Sequence, residues 1–164
     1  MTSTQHRPST HAEVTIQADP TVPAVHIVRD FAATPAQLVR AHTDPELFVR
    51  WIGPAGYETT IDHWDARTGG SYRYEHEGQG FHGCFHHVGD DRLVQTFTWE
   101  GMPEGVSLDT MTFEDLGGGR ARLHATSLVG SFEARDGMLS SGMDVGVRDG
   151  YAKLDGLLAD GALG

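Results

Sequence analysis

The densest run of reactive side chains lies between residues 62 and 87, which carries Asp62, Asp65, Glu75 and Glu77, with His76, His82, His86 and His87 clustered over residues 76–87. Four histidines raise a metal reading, which requires three or four ligands converging on one point. In an extended chain successive side chains alternate faces, so His82 and His86 share one face while His86 and His87 oppose each other. Neither HExxH nor a paired-cysteine spacing accompanies them, and no metal or other cofactor is expected. The carboxylates suit a solvated edge as well as acid–base work. The single cysteine, Cys84, stands among aromatic residues, which favours a structural thiol over a nucleophile. No GxSxG elbow is present, and no catalytic residue is assigned. If the protein is an enzyme, His76, His87, Asp109 and His124 are the inward candidates for general acid or base.

These residues need a scaffold, and the length and composition bound it. The chain has 164 residues, 38% apolar and 21% charged, which suits one globular domain with one core. Its formal net charge of −11 repels phosphate backbones and anionic membranes, so neither nucleic acid nor membrane is an expected partner. No apolar run approaches the roughly 20 residues of a membrane span. The polar first 20 residues do not read as a secretory signal. A soluble, cytoplasmic protein is expected.

Residues 1–11 lack an apolar period and read as a disordered tail, with one domain over 12–164. Residues 24–32 (AVHIVRDFA) follow strand logic. Thr34-Pro35 and Asp44-Pro45 each supply an N-cap followed by proline, which predicts two short helices, the second stopped by Gly53-Pro54. A meander follows, with strands near 57–66, 70–77, 80–89, 92–100, 107–115 and 120–130, separated by turn-forming residues. Connections that short make the strands antiparallel. From 132 to 159 the period becomes helical: Leu139, Met143, Val147, Tyr151, Leu154 and Leu158 form one stripe. Gly142, Gly146 and Gly150 run beside it, which implies either close backbone packing or open volume. The fold class is α+β, a curved antiparallel sheet wrapped around a long C-terminal helix, with two short helices after the first strand.

Strand alternation then nominates an inner wall. Tyr72, Tyr74 and His76 share a face, as do Leu93, Gln95, Phe97 and Trp99, and likewise Asp109, Met111 and Phe113. With Phe85 from the intervening strand, Met143 and Val147 from the helix, and Trp51 covering one mouth, they enclose a space suited to a small hydrophobic or aromatic molecule. The candidate site is therefore Trp51, Tyr72, Tyr74, His76, Phe85, Gln95, Phe97, Trp99, Met111, Phe113, Met143 and Val147.

Three segments resemble one known family. Residues 44–54 (DPELFVRWIGP) are similar to its second short helix, 62–85 (DHWDARTGGSYRYEHEGQGFHGCF) to its Gly-Gly turn and aromatic strand, and 142–159 (GMDVGVRDGYAKLDGLLA) to its closing helix. The chain thus resembles the Hsp90-ATPase-activator-homologue group of the START-like, Bet v 1-like (SRPBCC) superfamily, over about residues 24–160. The resemblance implies a helix-grip fold with a deep cavity. It also implies one of three roles: binding a small hydrophobic molecule, catalysis of the polyketide cyclase, dehydratase or hydrolase kind, or a co-chaperone-like interaction. Binding leads, and a homodimer is left open.

Overall fold

The computed structural model describes residues 13–164; the tail expected over 1–11 lies outside the described residues. Residues Thr15–Ala18 form strand β1, and the chain turns at Asp19, whose carboxylate accepts the backbone N–H groups of Thr21 and Val22 at 2.8 and 3.0 Å. It then enters β2 (Ala24–Phe31), so two strands rather than one precede the short helices. Helix α1 (Pro35–Thr43) opens with the expected proline and a full capping box, in which Thr34 and Gln37 satisfy each other's backbone N–H. Asp44 closes α1 and also caps α2 (Pro45–Trp51), which explains how two helices fit end to end without a linker.

The meander comprises β3 (Thr59–Trp64), β4 (Ser71–His76), β5 (Gln79–Val88), β6 (Arg92–Trp99), β7 (Val106–Gly117) and β8 (Arg120–Leu128). All pairings are antiparallel and the spatial order is β1-β2-β8-β7-β6-β5-β4-β3. Register places Gln95 opposite Asp109 and Asp109 opposite Ser127, so one row crosses three strands on the concave side. Gly83 permits a crossing on that side. A Cβ there would stand 1.9 Å from the Thr96 carbonyl oxygen and 2.7 Å from Tyr72 Oη, so only glycine lets the phenol pass over β5 to bond Thr96 at 2.6 Å.

The closing segment is two helices, not one. Helix α3 (Phe132–Ser140) ends before Gly142, whose φ of +86° breaks the rod, and α4 (Met143–Ala159) follows. The three aligned glycines have separate reasons. Gly142 supplies that left-handed cap, Gly146 makes ordinary contact with Pro54, and a Cβ at Gly150 would stand 3.0 Å from the Trp51 carbonyl.

Helix α4 is fastened to the sheet by its C-terminal half. Arg29, 4% exposed on the concave side of β2, grips Asp155 with two hydrogen bonds of 2.9 and 2.6 Å. Its guanidinium carbon lies 4.5 Å from the Phe31 ring centre, and Tyr151 packs edge-on to Phe31 and stacks on Trp51. Leu154 is wholly buried beside this pair.

Removing one partner leaves a buried charge uncompensated. Asp155→Asn is expected to lower unfolding stability in urea by about 3 kcal/mol, and Arg29→Met with Asp155→Leu to recover most of that loss. Equal losses in the single and double variants would mean that the pair is not a coupled unit.

Candidate ligand-binding site

The expected wall residues separate into closed core and open surface. Trp51, Tyr72, Tyr74, Phe85 and Phe113 are at most 4% exposed and pack ring against ring. Trp51 does not cover a mouth: its indole N–H donates to the Ala41 carbonyl at 2.9 Å, which fixes it inside the helical corner. Phe48 touches Trp51 and Tyr74, Tyr74 stacks on Phe81, and Phe81 stacks on Phe97 at 5.5 Å, so the aromatic core leads outward to Phe97.

Gln95, Phe97, Met111, Met143 and Val147 keep partial exposure although they point inward or pack on the core. Topology explains the difference. Helix α3 begins just after β8 ends at Leu128, so α4 starts over that end of the sheet and runs back toward Phe31, where Tyr151 is seated. Met143 and Val147 lie two turns and one turn before Tyr151 on the same helical face. Both pack against the hydrophobic core while remaining partly exposed. No residue of α3 is buried, and Met138 and Leu139 are its half-buried apolar members. The partly exposed apolar side chains between the Tyr151 end and α3 mark a candidate cleft. Trp99 is at its rim on the concave side, 41% exposed, with its indole N–H donating to Gln79 at 3.0 Å.

Two inward-facing polar groups stand on the cleft wall. The Tyr72 hydroxyl donates to Thr96, so Oη can only accept, and the Gln95 amide presents Nε2 to it at 3.4 Å. Asp109 receives a hydrogen bond from Ser107 at 3.0 Å, and Ser127 also bonds it, yet desolvation pushes its carboxyl above the usual range. Its charge is felt by Tyr72, Tyr74 and Tyr151, which places it centrally between sheet and helix.

The histidines do not converge. His76 points inward, bonded to Thr59 at 2.7 Å and boxed by Tyr74 and Phe81, and desolvation lowers its pKa. His82 and His124 are exposed and pair with Glu100 and Glu114. Cys84 is exposed rather than buried, because its side of β5 is the convex one. Among the described residues no group of three or more His, Cys, Asp or Glu side chains could hold a metal ion. Gly78, Gly80 and Gly83 carry the GxGxxG spacing of a dinucleotide loop, which corrects the expectation that no such spacing occurs in the sequence. They lie in the β4–β5 hairpin and not at a strand-to-helix turn, so the spacing has no phosphate-binding context.

A family model described as Activator of Hsp90 ATPase homolog 1-like protein matches residues 32–159. The chain belongs to that family. Its solved structural relatives include a protein from Rhodobacter sphaeroides, with 28% identity, a TM-score of 0.81, and coverage of 90% of this chain and 99% of that one. A protein from Arthrobacter aurescens shares 24% identity with a TM-score of 0.80, covering 89% and 91% of the two chains. Ms6760 from Mycobacterium smegmatis shares 22% identity with a TM-score of 0.79, covering 89% and 97%. Comparison with curated proteins yields no significant match. No helix among the described residues of this Activator of Hsp90 ATPase homolog 1-like domain is long and apolar enough to cross a membrane.

An open recess of about 370 Å³ on the outer face lies against Thr15, Val28, Asp30, Arg120 and Arg122. Arg122 and Asp30 already pair across it at 2.7 Å, and its polar lining does not suit an apolar molecule. The cleft is the better candidate because its walls are apolar and its few polar groups converge. Sequence reasoning left Ala125 and Ser127 out of the site, since β8 offers only small residues there. Asp109 was visible in the alternation beside Met111 and Phe113.

His42 makes the core sensitive to pH. Its Nδ1 pairs with the Leu38 carbonyl at 2.7 Å, Trp51 and Phe113 flank the ring, and burial lowers its pKa from 6.5 to about 4. The unfolded chain therefore binds a proton here between those values while the folded chain does not. Stability from this group is fully present above pH 6.5 and falls as pH drops, by about 3 kcal/mol at pH 4. In urea titrations across pH 7 to 4.5, His42→Asn is expected to flatten that slope despite lower stability at pH 7. An unchanged slope would show that other groups carry the acid sensitivity.

Proposed function

We propose that this protein binds a small hydrophobic or aromatic molecule in the cleft between the N-terminal half of α4 and strands β6–β8. The observation that carries the reading is the partial exposure of inward-directed apolar residues, Phe97 and Met111 on the sheet and Met143 and Val147 on the helix, beside a closed aromatic core. Apolar side chains left accessible on the concave side forgo burial free energy of about 25 cal/mol for each Å² that stays wet, which an apolar guest would recover. Catalysis on the same cleft is the weaker reading. Asp109 and His76 both face inward, but His76 is held by Thr59 and enclosed by rings. The co-chaperone reading rests on the family's name alone.

The neutral fluorophore N-phenyl-1-naphthylamine tests the reading, its emission rising in an apolar site. The native protein is expected to bind it saturably, and Val147→Trp to abolish binding while the protein stays folded. Phe97→Ala is expected to cost about 1–2 kcal/mol of stability, because a half-exposed ring loses fewer partners than a core ring, and to change probe affinity. A loss of about 3–5 kcal/mol in Phe97→Ala, with no probe bound by the native protein, would mean a filled core and end the reading.

A further inference from the structure

We propose that the ligand carries a cationic amine head, with Asp109 as its counter-ion and Gln95 Oε1 as a second acceptor. The inference rests on the binding reading above and narrows the class of molecule.

The polar end of the cleft offers acceptors and, apart from the second N–H of the Gln95 amide, no free donor. Tyr72 Oη–H is spent on Thr96, so the amide of Gln95 must turn Nε2 toward Tyr72 and leave Oε1 for the cleft. Asp109 lies directly opposite Gln95 in the β6–β7 register. Ser107 and Ser127 donate to the same carboxyl, so their hydroxyl hydrogens are also in use. A head group entering this row meets a carboxyl and an amide oxygen within one cross-strand spacing. An ammonium, which has three N–H donors and no acceptor, complements that pair, whereas a carboxylate is repelled by Asp109 and finds a donor only in the second N–H of Gln95.

Charge points the same way. Among the described residues Asp109 takes part in no ion pair with Lys or Arg. The cations turned toward the interior are engaged elsewhere: Arg29 on β2 grips Asp155, and Lys153 on α4 reaches the carbonyls of Ile52 and Pro54. On α3, Arg135 bonds Asp136 and the Asp19 carbonyl. The remaining titratable groups on that side, Tyr72, Tyr74 and His76 on β4, His42 on α1 and Tyr151 on α4, are buried. Burial without a cation disfavours the charged carboxyl, and a bound ammonium would restore it. The chain's net charge of −11 draws cations and repels fatty acids before contact.

A matched series tests the head group: 2-(2-naphthyl)ethylamine, 2-(2-naphthyl)ethanol and 2-naphthylacetate, titrated calorimetrically at pH 7. The amine is expected to bind at least ten-fold tighter than the alcohol, and the acetate at least ten-fold weaker than the alcohol. Asp109→Asn should bring the amine to within about three-fold of the alcohol, and its Tm should rise because a desolvated acid is gone. If that variant does not fold, the native protein decides the matter: the amine's advantage should shrink as pH falls and Asp109 takes up a proton. Equal binding of amine and alcohol, with no effect of Asp109→Asn or of pH, would overturn the counter-ion and leave the cleft standing. Failure of all three compounds and of N-phenyl-1-naphthylamine to bind would overturn the cleft itself.

Discussion

The two hydrogen bonds between Arg29 and Asp155 fix where the last helix can lie. Arg29 is buried between β2 and α4 while Asp155 is a quarter exposed, and the guanidinium cannot be left alone there without a large desolvation cost. The guanidinium is further constrained by Phe31 and Tyr151, so the pair sets helix position along the sheet as well as distance from it. Gly150 lets α4 approach the end of α2 closely, and Lys153 reaches the carbonyls of Ile52 and Pro54. The polar contacts that hold α4 run from Arg148, which reaches the Val14 carbonyl at 3.5 Å, and Asp149, which accepts the Ala55 N–H at 3.0 Å, to Asp155.

The other half of the helix follows from that arrangement. Met143 and Val147 continue the stripe of Tyr151 and Leu154 but stay partly exposed, as Phe97 and Met111 do on the sheet. Gly142 ends the rod, and α3 turns back with no buried residue of its own. A helix clamped at one end and less deeply buried at the other gives a fold that stays intact while apolar side chains on one side remain partly exposed. The family membership fixes the architecture, and the row from Gln95 to Ser127 gives this member its own polar chemistry.

Much of this architecture is written in local sequence. Thr34-Pro35 and Asp44-Pro45 signal both short helices because caps and proline act within one turn, and the alternation in β6 and β7 places Gln95, Phe97, Met111 and Phe113 on one face. Alternation gives the face of a side chain but not its depth along the strand. Phe113 and Phe97 share the concave side, yet one lies at the closed end and the other at the open end. Trp51 likewise ends a helix as expected, but its partner Ala41 is set by how α1 meets α2. Arg29 stands out in an otherwise apolar strand, while Asp155 is 126 positions away, and no local pattern links them. The helix break at Gly142 escaped the periodicity because the apolar stripe continues across it.

The central claim is that α4 is clamped by its C-terminal half and offers its N-terminal half to a ligand. Amide hydrogen exchange along the chain tests it most directly, because exchange separates local opening from global unfolding. The account predicts that residues 150–158 exchange only through global unfolding, that residues 132–147 exchange through local opening, and that bound N-phenyl-1-naphthylamine slows the second set. Equal protection along both halves, or slowing confined to residues 150–158, would contradict it.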